Sequence, residues 1–208
     1  MLKIEAHVLL DAFQTNTWLL YGDNCKEAVL IDPSVPSETL LKRIRELELN
    51  VKYIINTHGH GDHIGGNKWF KDRLSCPLAI HRLDADMLLD NRKNFSLYMD
   101  SPVETQAADL ILEDGMELDF ASRKLKVIHT PGHTRGCICL LVEKFLISGD
   151  TLFEQSIGRT DFPGGSHSDI INSIKNKLFI LPEDTIVYPG HGPRTTIGLE
   201  KASNPFIR

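Results

Sequence analysis

Short apolar runs dominate the N-terminal half of the chain, and their spacing predicts strands around one helix. Apolar and polar residues alternate from Ile4 to Leu10, as expected for a half-buried strand. Apolar residues recur at helical spacing from Leu40 to Leu47, behind Ser37, which can cap the first turn. Strands are predicted at 4–10, 15–21, 27–31 and 51–56.

The remainder of the chain repeats this alternation of strands and helices. Helices are predicted at 67–73, 83–89 and 169–181, and strands at 78–80, 110–112, 116–120, 125–129, 137–142, 145–147 and 185–188. The pattern indicates two αβ halves packed sheet to sheet. We therefore expect an α/β fold, a four-layer αββα sandwich of two mixed sheets packed face to face. No linker separates the halves, so we expect one domain over 1–208.

One segment, residues 90–108, is polar and has no clear period. It is long for a plain connection, so it could form a lid or a substrate loop. An ordinary irregular surface segment is an equal alternative.

Composition narrows the possible functions. The chain has 208 residues, 41% of them hydrophobic, and a formal net charge of -5. Since no dense Lys/Arg cluster and no apolar run of about 20 residues occurs, we expect neither a nucleic-acid partner nor a membrane partner. The N-terminus has no signal-peptide core, and the four cysteines form no C-x-x-C pair. These features favour a reduced, cytoplasmic setting.

The most informative segment is Thr57–Gly66, which holds three histidines and an aspartate in six residues, directly after a predicted strand. Because side chains alternate along extended backbone, His58 and His60 can face one ion. Asp62 and His63 are neighbours on the following turn and can more easily serve a second ion. This spacing is a strong indication of metal binding.

Three later strands end in a similar way. Two apolar strands are followed by Pro-Gly-His, which presents His133 and His191, and a third is followed by Gly-Asp, which presents Asp150. Proline stops a strand and glycine turns the chain, so each side chain should lie at the C-terminal rim of its sheet. The segment 57–66 emerges at such a rim as well, so we expect all of these side chains to converge.

The order H-x-H-x-D-H, followed by these three strand ends, resembles the metallo-β-lactamase fold superfamily, and within it the short glyoxalase II-like hydrolases that lack a C-terminal helical domain. The resemblance implies two divalent metal ions. The first would be held by His58, His60 and His133, and the second by Asp62, His63 and His191, with Asp150 bridging them. Imidazole and carboxylate ligands favour Zn²⁺, with Fe or Mn as alternatives.

The resemblance also implies an activity, the hydrolysis of thioesters. The leading substrate is S-D-lactoylglutathione, a small glutathione-linked thioester that gives D-lactate and glutathione by attack of a metal-bridging hydroxide. Asp62 and Asp150 would be catalytic as charged ligands. Two dications, two carboxylates and one hydroxide leave a net positive charge where an oxyanion would develop.

Arg159, within Gly158–Phe162, is the candidate substrate-binding residue. In glyoxalase II a lysine at the matching place binds the glycine carboxylate of glutathione, and an arginine could grip a carboxylate with two hydrogen bonds. The alternative is a turn in which Arg159 pairs with Asp161.

Asp32 has two interpretations as well: it could orient a ligand histidine or the metal-binding segment, or it could belong to a plain Asp-Pro turn.

Two other activities remain open on the same residues. A mononuclear Fe(II) persulfide dioxygenase of this fold would use His58, His133 and Asp150 and leave positions open for O₂. A lactone or other ester hydrolase would use the same two metals.

Overall fold

The computed structural model describes residues 1–10, 12–99, 102–103 and 105–207. Within this part of the chain, the first six strands form an N-terminal sheet in sequential order. They are β1 (Leu2–Leu10), β2 (Thr15–Gly22), β3 (Glu27–Ile31), β4 (Asn50–Ile55), β5 (Leu78–His81) and β6 (Leu110–Leu112). The pairs β1–β2 and β2–β3 are antiparallel, whereas β3 to β6 pair in parallel. The sheet is therefore mixed, as expected.

A second mixed sheet contains the later strands. They are β7 (Glu117–Phe120), β8 (Arg123–His129), β9 (Ile138–Val142), β10 (Phe145–Gly149), the small ribbon β11 (Leu152–Phe153) and β12 (Ser156–Ile157), then β13 (Ile186–Pro189) and β14 (Thr195–Thr196). The described order in the sheet is β14-β13-β10-β9-β8-β7, and the ribbon lies apart. Since β9 is antiparallel to both β8 and β10, and β10 is parallel to β13, the strands β8, β10 and β13 run in one direction.

Helices cover the outer faces of the two sheets. They are α1 (Glu38–Glu46), α2 (Gly61–Ile64), α3 (Asn67–Leu74), α4 (His167–Ser173) and α5 (Ile197–Ser203), with 3₁₀ turns at Arg82–Leu89 and Ser96–Tyr98. The Ser37 hydroxyl accepts a hydrogen bond from Leu40 N, so the predicted cap of α1 is confirmed. The helix predicted at 169–181 begins two residues earlier, at His167, where Ser166 caps it. It continues after Ser173 as a π turn over Ile174–Leu178.

The buried apolar residues form three layers of core. The central core lies between the sheets and includes Trp18 and Leu140. One outer core packs α1 and α3 on the N-terminal sheet around Phe70, and the other packs α4 on the C-terminal sheet around Ile174. Strand β2 is buried at every position because both faces of its sheet are covered. The predicted αββα sandwich is confirmed.

The candidate functional residues lie at the rims of the two sheets, after the ends of strands. β3 leads into Asp32, and β4 leads into His58. The parallel strands β8, β10 and β13 lead into His133, Asp150 and His191. At Gly190 a Cβ atom would lie 2.1 Å from Asp150 Oδ1, so any larger residue there would displace that carboxylate. The glycine therefore lets the end of β13 approach Asp150.

Two further expectations concern the whole chain. Over the described residues, no helix combines the length and the apolar character needed to cross a bilayer. All four cysteines are free thiols, and Cys137 and Cys139 are buried core residues.

The segment 90–108 is described in part. Residues 90–99 pack against the metal-binding segment through a hydrogen bond of 2.7 Å from Gly61 N to Asn94 O. Asp100, Ser101 and Glu104 lie outside the described residues.

Candidate metal centre

Asp32 anchors the segment that carries the first histidines. Its carboxylate accepts hydrogen bonds from Thr57 N (2.7 Å) and Thr57 Oγ1 (2.6 Å) and lies 3.0 Å from His63 Nδ1. Asp32 is fully buried and has a positive φ of 49°. It therefore both positions the segment and orients a histidine, which is the first of its two predicted interpretations.

The first group of candidate ligands consists of His58, His60 and His133, whose ligand atoms lie within 4.8 Å of one another. His60 Nδ1 is 2.9 Å from His133 Nε2, and the His58 ring stands edge-on to both. All three residues are buried. The alternation of side chains after β4 brings His58 and His60 to one point, as the sequence predicts.

The second group consists of Asp62, His63 and His191. Asp62 Oδ2 lies 3.4 Å from His63 Nε2 and 3.5 Å from His191 Nε2, and the two histidine nitrogens are 3.2 Å apart. Asp62 and His63 belong to α2 rather than to an irregular turn. Thr15 Oγ1 donates a hydrogen bond of 3.1 Å to Asp62 Oδ2 and holds that carboxylate in place.

Asp150 stands between the two groups. Its Oδ2 is 3.5 Å from His133 Nε2 and 3.4 Å from His191 Nε2, and its Oδ1 is 3.5 Å from His63 Nε2. The structure thus brings all seven predicted ligand residues around one centre, with one carboxylate in contact with both groups.

Three of the histidines are oriented by acceptors behind them. His133 Nδ1 lies 2.8 Å from Arg159 O, His191 Nδ1 lies 2.9 Å from Phe13 O, and His63 Nδ1 faces Asp32. A carbonyl or carboxylate oxygen can only accept, so Nδ1 carries the hydrogen in each ring. In a neutral ring Nε2 then offers its lone pair to the centre, as a metal ligand must.

The fit of these residues to metal ions can be judged from unpaired atoms and distances. Among the described residues, three buried atoms at the centre have no hydrogen-bond partner: His58 Nε2, His60 Nε2 and Asp150 Oδ1. Ligand atoms about 2.1 Å from a tetrahedral ion lie about 3.4 Å from one another. The separation of His60 Nδ1 and His133 Nε2 is 2.9 Å, those within the second group are 3.2 to 3.5 Å, and all ligand atoms of each group lie within 4.8 Å of one another. The residues present therefore fit metal ions.

The charges at the centre also favour a cation. Burial lowers the pKa of His58 well below its ordinary value and that of His60 to about 3. Burial opposes a charge on His63, but Asp62 and Asp150 raise the pKa of its ring to about 10. Burial likewise opposes a charged Asp150, but His63 holds its pKa well below the usual range. The carboxylates thus create a negative potential that a cation compensates.

Asp84 is a residue of this centre that the sequence did not reveal. Its buried carboxylate accepts hydrogen bonds from Gly59 N (3.1 Å), Thr134 Oγ1 (2.6 Å) and Gly136 N (2.7 Å). Burial raises the pKa of Asp84. It joins the segment that carries His58 to the segment that carries His133. Asp84 lies in a helical stretch near other charged residues, so the sequence around it did not indicate this role.

A cavity of about 540 Å³ opens onto the centre. Aromatic residues form one wall, where Phe95 stacks on Phe162 at 4.6 Å. Arg159 lines the same cavity, but its guanidinium makes two hydrogen bonds of 2.8 Å to Asp161 and lies 3.8 Å from the Phe162 ring. The structure thus shows the Arg159–Asp161 pair offered as the alternative, at a place adjoining the metal centre. Nothing in the sequence pattern indicated the aromatic wall.

Comparison with known proteins agrees with this geometry. The family model described as the metallo-beta-lactamase superfamily matches residues 10–191. Hydroxyacylglutathione hydrolase GloC of Haemophilus influenzae is similar, with 38% identity over 209 residues and 94% of each chain covered. The crystal structure of BLEG-1 B3 metallo-beta-lactamase has a TM-score of 0.93 and 40% identity, with 99% of each chain covered.

The structure of TTHA1623 in a di-iron-bound form has a TM-score of 0.83 and 34% identity, and the match covers 97% of this chain and 99% of that one. The histidine and aspartate cluster and these likenesses together indicate divalent metal ions. The chain belongs to the metallo-beta-lactamase superfamily, a group of metallo-hydrolase enzymes.

Proposed function

We propose that the protein is a binuclear metal hydrolase that cleaves thioesters, with S-D-lactoylglutathione as the leading substrate. The observation that carries this proposal is the position of Asp150 between two groups of three ligands. The first ion would be held by His58, His60 and His133, and the second by Asp62, His63 and His191, with Asp150 shared. When bound, two such ions activate a water molecule and polarise the carbonyl of the substrate.

The residues behind the ligands keep this arrangement rigid. Asp32, Arg159 O and Phe13 O each hold the Nδ1 hydrogen of one ligand histidine, so three rings keep a fixed orientation. Thr15 holds Asp62 by a hydrogen bond. A centre fixed by such partners needs little rearrangement when the reaction proceeds.

Arg159 is the proposed contact for a carboxylate of the thiol carrier. Its side chain and that of Asp161 are both more than half exposed, and exposed ion pairs of this kind contribute little to stability. A substrate carboxylate can therefore replace Asp161 at small cost. The stacking of Arg159 on Phe162 keeps the guanidinium at the rim of the cavity in the meantime.

Two observations favour a glutathione thioester. GloC, at 38% identity over almost the full length of both chains, is named a hydroxyacylglutathione hydrolase. The cavity of about 540 Å³ offers apolar walls and one cation beside the centre. A second candidate substrate is a β-lactam, because BLEG-1, at 40% identity, is described as a B3 metallo-beta-lactamase.

The test is hydrolysis of S-D-lactoylglutathione by zinc-loaded protein. We expect a kcat/KM of about 10⁴ M⁻¹s⁻¹ or more, within the usual range of enzymes. A β-lactam and, for iron-loaded protein, O₂ uptake with glutathione persulfide are measured in parallel. If either of these activities exceeds thioester hydrolysis a hundredfold, the proposed substrate is wrong.

A further inference from the structure

A second cavity of about 600 Å³ adjoins the one above the metal centre. The two cavities share Phe13, Gly61 and Met99 as lining residues. Gly61 is the first residue of α2 and directly precedes Asp62. A side chain at Gly61 would meet Met99 Sδ at 2.9 Å, so glycine lets the wall of this second cavity, which we call the side trough, reach the metal centre.

The side trough is mainly apolar. Its walls include Leu10, Val35, Trp69 and Val103. Its volume lies within the range of about 300–1,000 Å³ that is usual for small-molecule sites.

The charged groups described along the side trough already have partners. Lys68 Nζ pairs with Asp72 at 3.0 Å, and the Arg73 guanidinium lies 3.9 Å from the Trp69 ring and donates to Trp69 O at 3.2 Å. The Lys68–Asp72 pair adds no net charge to the lining, and the apolar walls of the side trough suit a neutral apolar group.

The side trough and Arg159 adjoin the centre beside different ligand histidines. The backbone of Phe13 contacts His191 of the second group, whereas the backbone of Arg159 contacts His133 of the first group. A thioester held across the centre has two arms, and they must leave in different directions. The anionic thiol carrier is matched by Arg159, which leaves the side trough for the acyl arm.

We propose that the side trough is an acyl subsite and that the enzyme takes, besides lactoyl, thioesters with longer apolar acyl chains. The inference rests on the proposed thioesterase function and adds a class of acyl group to it. Burial of one methylene contributes enough free energy to raise kcat/KM by about fourfold, as long as the chain remains inside the trough.

The first experiment compares S-acetyl-, S-butanoyl-, S-hexanoyl- and S-octanoylglutathione as substrates of the zinc-loaded protein. We expect kcat/KM to rise by about tenfold or more for each two carbons until the trough is filled. Val35→Trp should fill the trough and lower the octanoyl-to-acetyl ratio of kcat/KM by more than tenfold. Val8→Trp is the matched control, because Val8 is 46% exposed on β1 and lines neither cavity, and it should leave the ratio unchanged.

The second experiment separates this inference from the proposed function. S-methyl- and S-octylglutathione are thioethers that cannot be hydrolysed, so their dissociation constants report binding alone. We expect the octyl compound to bind at least a hundredfold more tightly, and Val35→Trp to remove most of this difference. Such a gradient without thioester hydrolysis would keep the subsite and remove the proposed function. Equal affinities, or a gain only when the alkyl chain is placed on the thiol side of an acetyl thioester, would overturn the acyl subsite.

Discussion

Thr134 Oγ1 donates a hydrogen bond of 2.6 Å to the buried carboxylate of Asp84, fifty residues earlier in the chain. The same carboxylate accepts from Gly59 N and Gly136 N. Asp84 thus joins the two segments that supply the first group of ligands, although it is not itself one of the candidate ligands. Asp32 does the corresponding work for His63 in the second group.

Asp84→Asn should therefore weaken the binding of one of the two proposed metal ions. The amide nitrogen of asparagine cannot accept a hydrogen bond, so at least one of the three donors loses its partner. Loss of such partners behind metal ligands typically costs 10–100-fold in affinity. A competition titration of Zn²⁺ against a chelator measures both dissociation constants, and one should rise by that factor.

Asp86→Asn is the matched control for this experiment. Asp86 lies in the same 3₁₀ turn but is exposed and pairs with Lys93. Equal zinc affinities for Asp84→Asn and Asp86→Asn would contradict the positioning role of Asp84.

Asp150→Ala should abolish activity and leave the fold largely intact. Asp150 is the carboxylate proposed to be shared by the two metal ions, so its removal takes one ligand from each. We expect fewer than two zinc ions per chain and a fall in kcat/KM of at least about a thousandfold. Metal analysis and circular dichroism of the same sample check both points. A variant with full activity and full metal content would show that the ligand assignment is wrong.

Arg159→Ala should raise KM for glutathione thioesters by about tenfold or more and change kcat little, because a charged hydrogen bond to a carboxylate contributes about 1.5–3 kcal/mol. An acetyl thioester of a thiol without carboxylates is the comparison substrate, and its KM should not change. If both substrates respond alike, Arg159 serves the structure of the cavity through its contacts with Asp161 and Phe162 instead.

The contribution of Glu5 to stability should depend on pH, and this prediction does not involve the metal centre. The hydrogen bond from Arg43 lowers the pKa of Glu5 to about 2, against the opposing effect of burial and with a further contribution from Tyr21. A carboxylate with a lowered pKa stabilises the fold above its ordinary pKa of about 4.5, and this contribution is lost as pH falls from there to about 2.

Glu5→Gln should accordingly be less stable than the wild type at pH 7, by about 1–2 kcal/mol after allowance for the partial exposure of the pair. The difference should shrink between pH 4.5 and pH 3. Urea unfolding of the metal-free proteins at several pH values measures it. A difference that is the same at pH 7 and pH 3 would mean that the Arg43 pair does not cause it.

The sequence predicted those features of the centre that depend on local patterns. His58, His133 and His191 each follow an apolar strand, and the ends of neighbouring parallel strands meet at one rim. The αββα sandwich could be predicted as well, because the alternation of strands and helices is also a local pattern. The two-residue strands β11, β12 and β14 were not predicted, because segments so short show no period.

Contacts between distant segments could not be predicted in this way. Asp84 acts through Gly59 and Gly136, and nothing near it in the chain indicates these partners. Phe95 and Phe162 form one wall of the cavity only because the fold brings residues 90–99 against the loop after β12. The pattern of apolar and polar residues predicts which face of a strand or helix a residue lies on. It does not predict which distant residue that side chain will contact.

The most direct test of the account is a zinc titration of metal-free protein with thioester hydrolysis as the readout. Two groups of ligands that share Asp150 predict that kcat/KM for S-D-lactoylglutathione rises until two equivalents of zinc per chain are bound. Full activity at one equivalent, or no hydrolysis at two, would contradict a binuclear thioesterase.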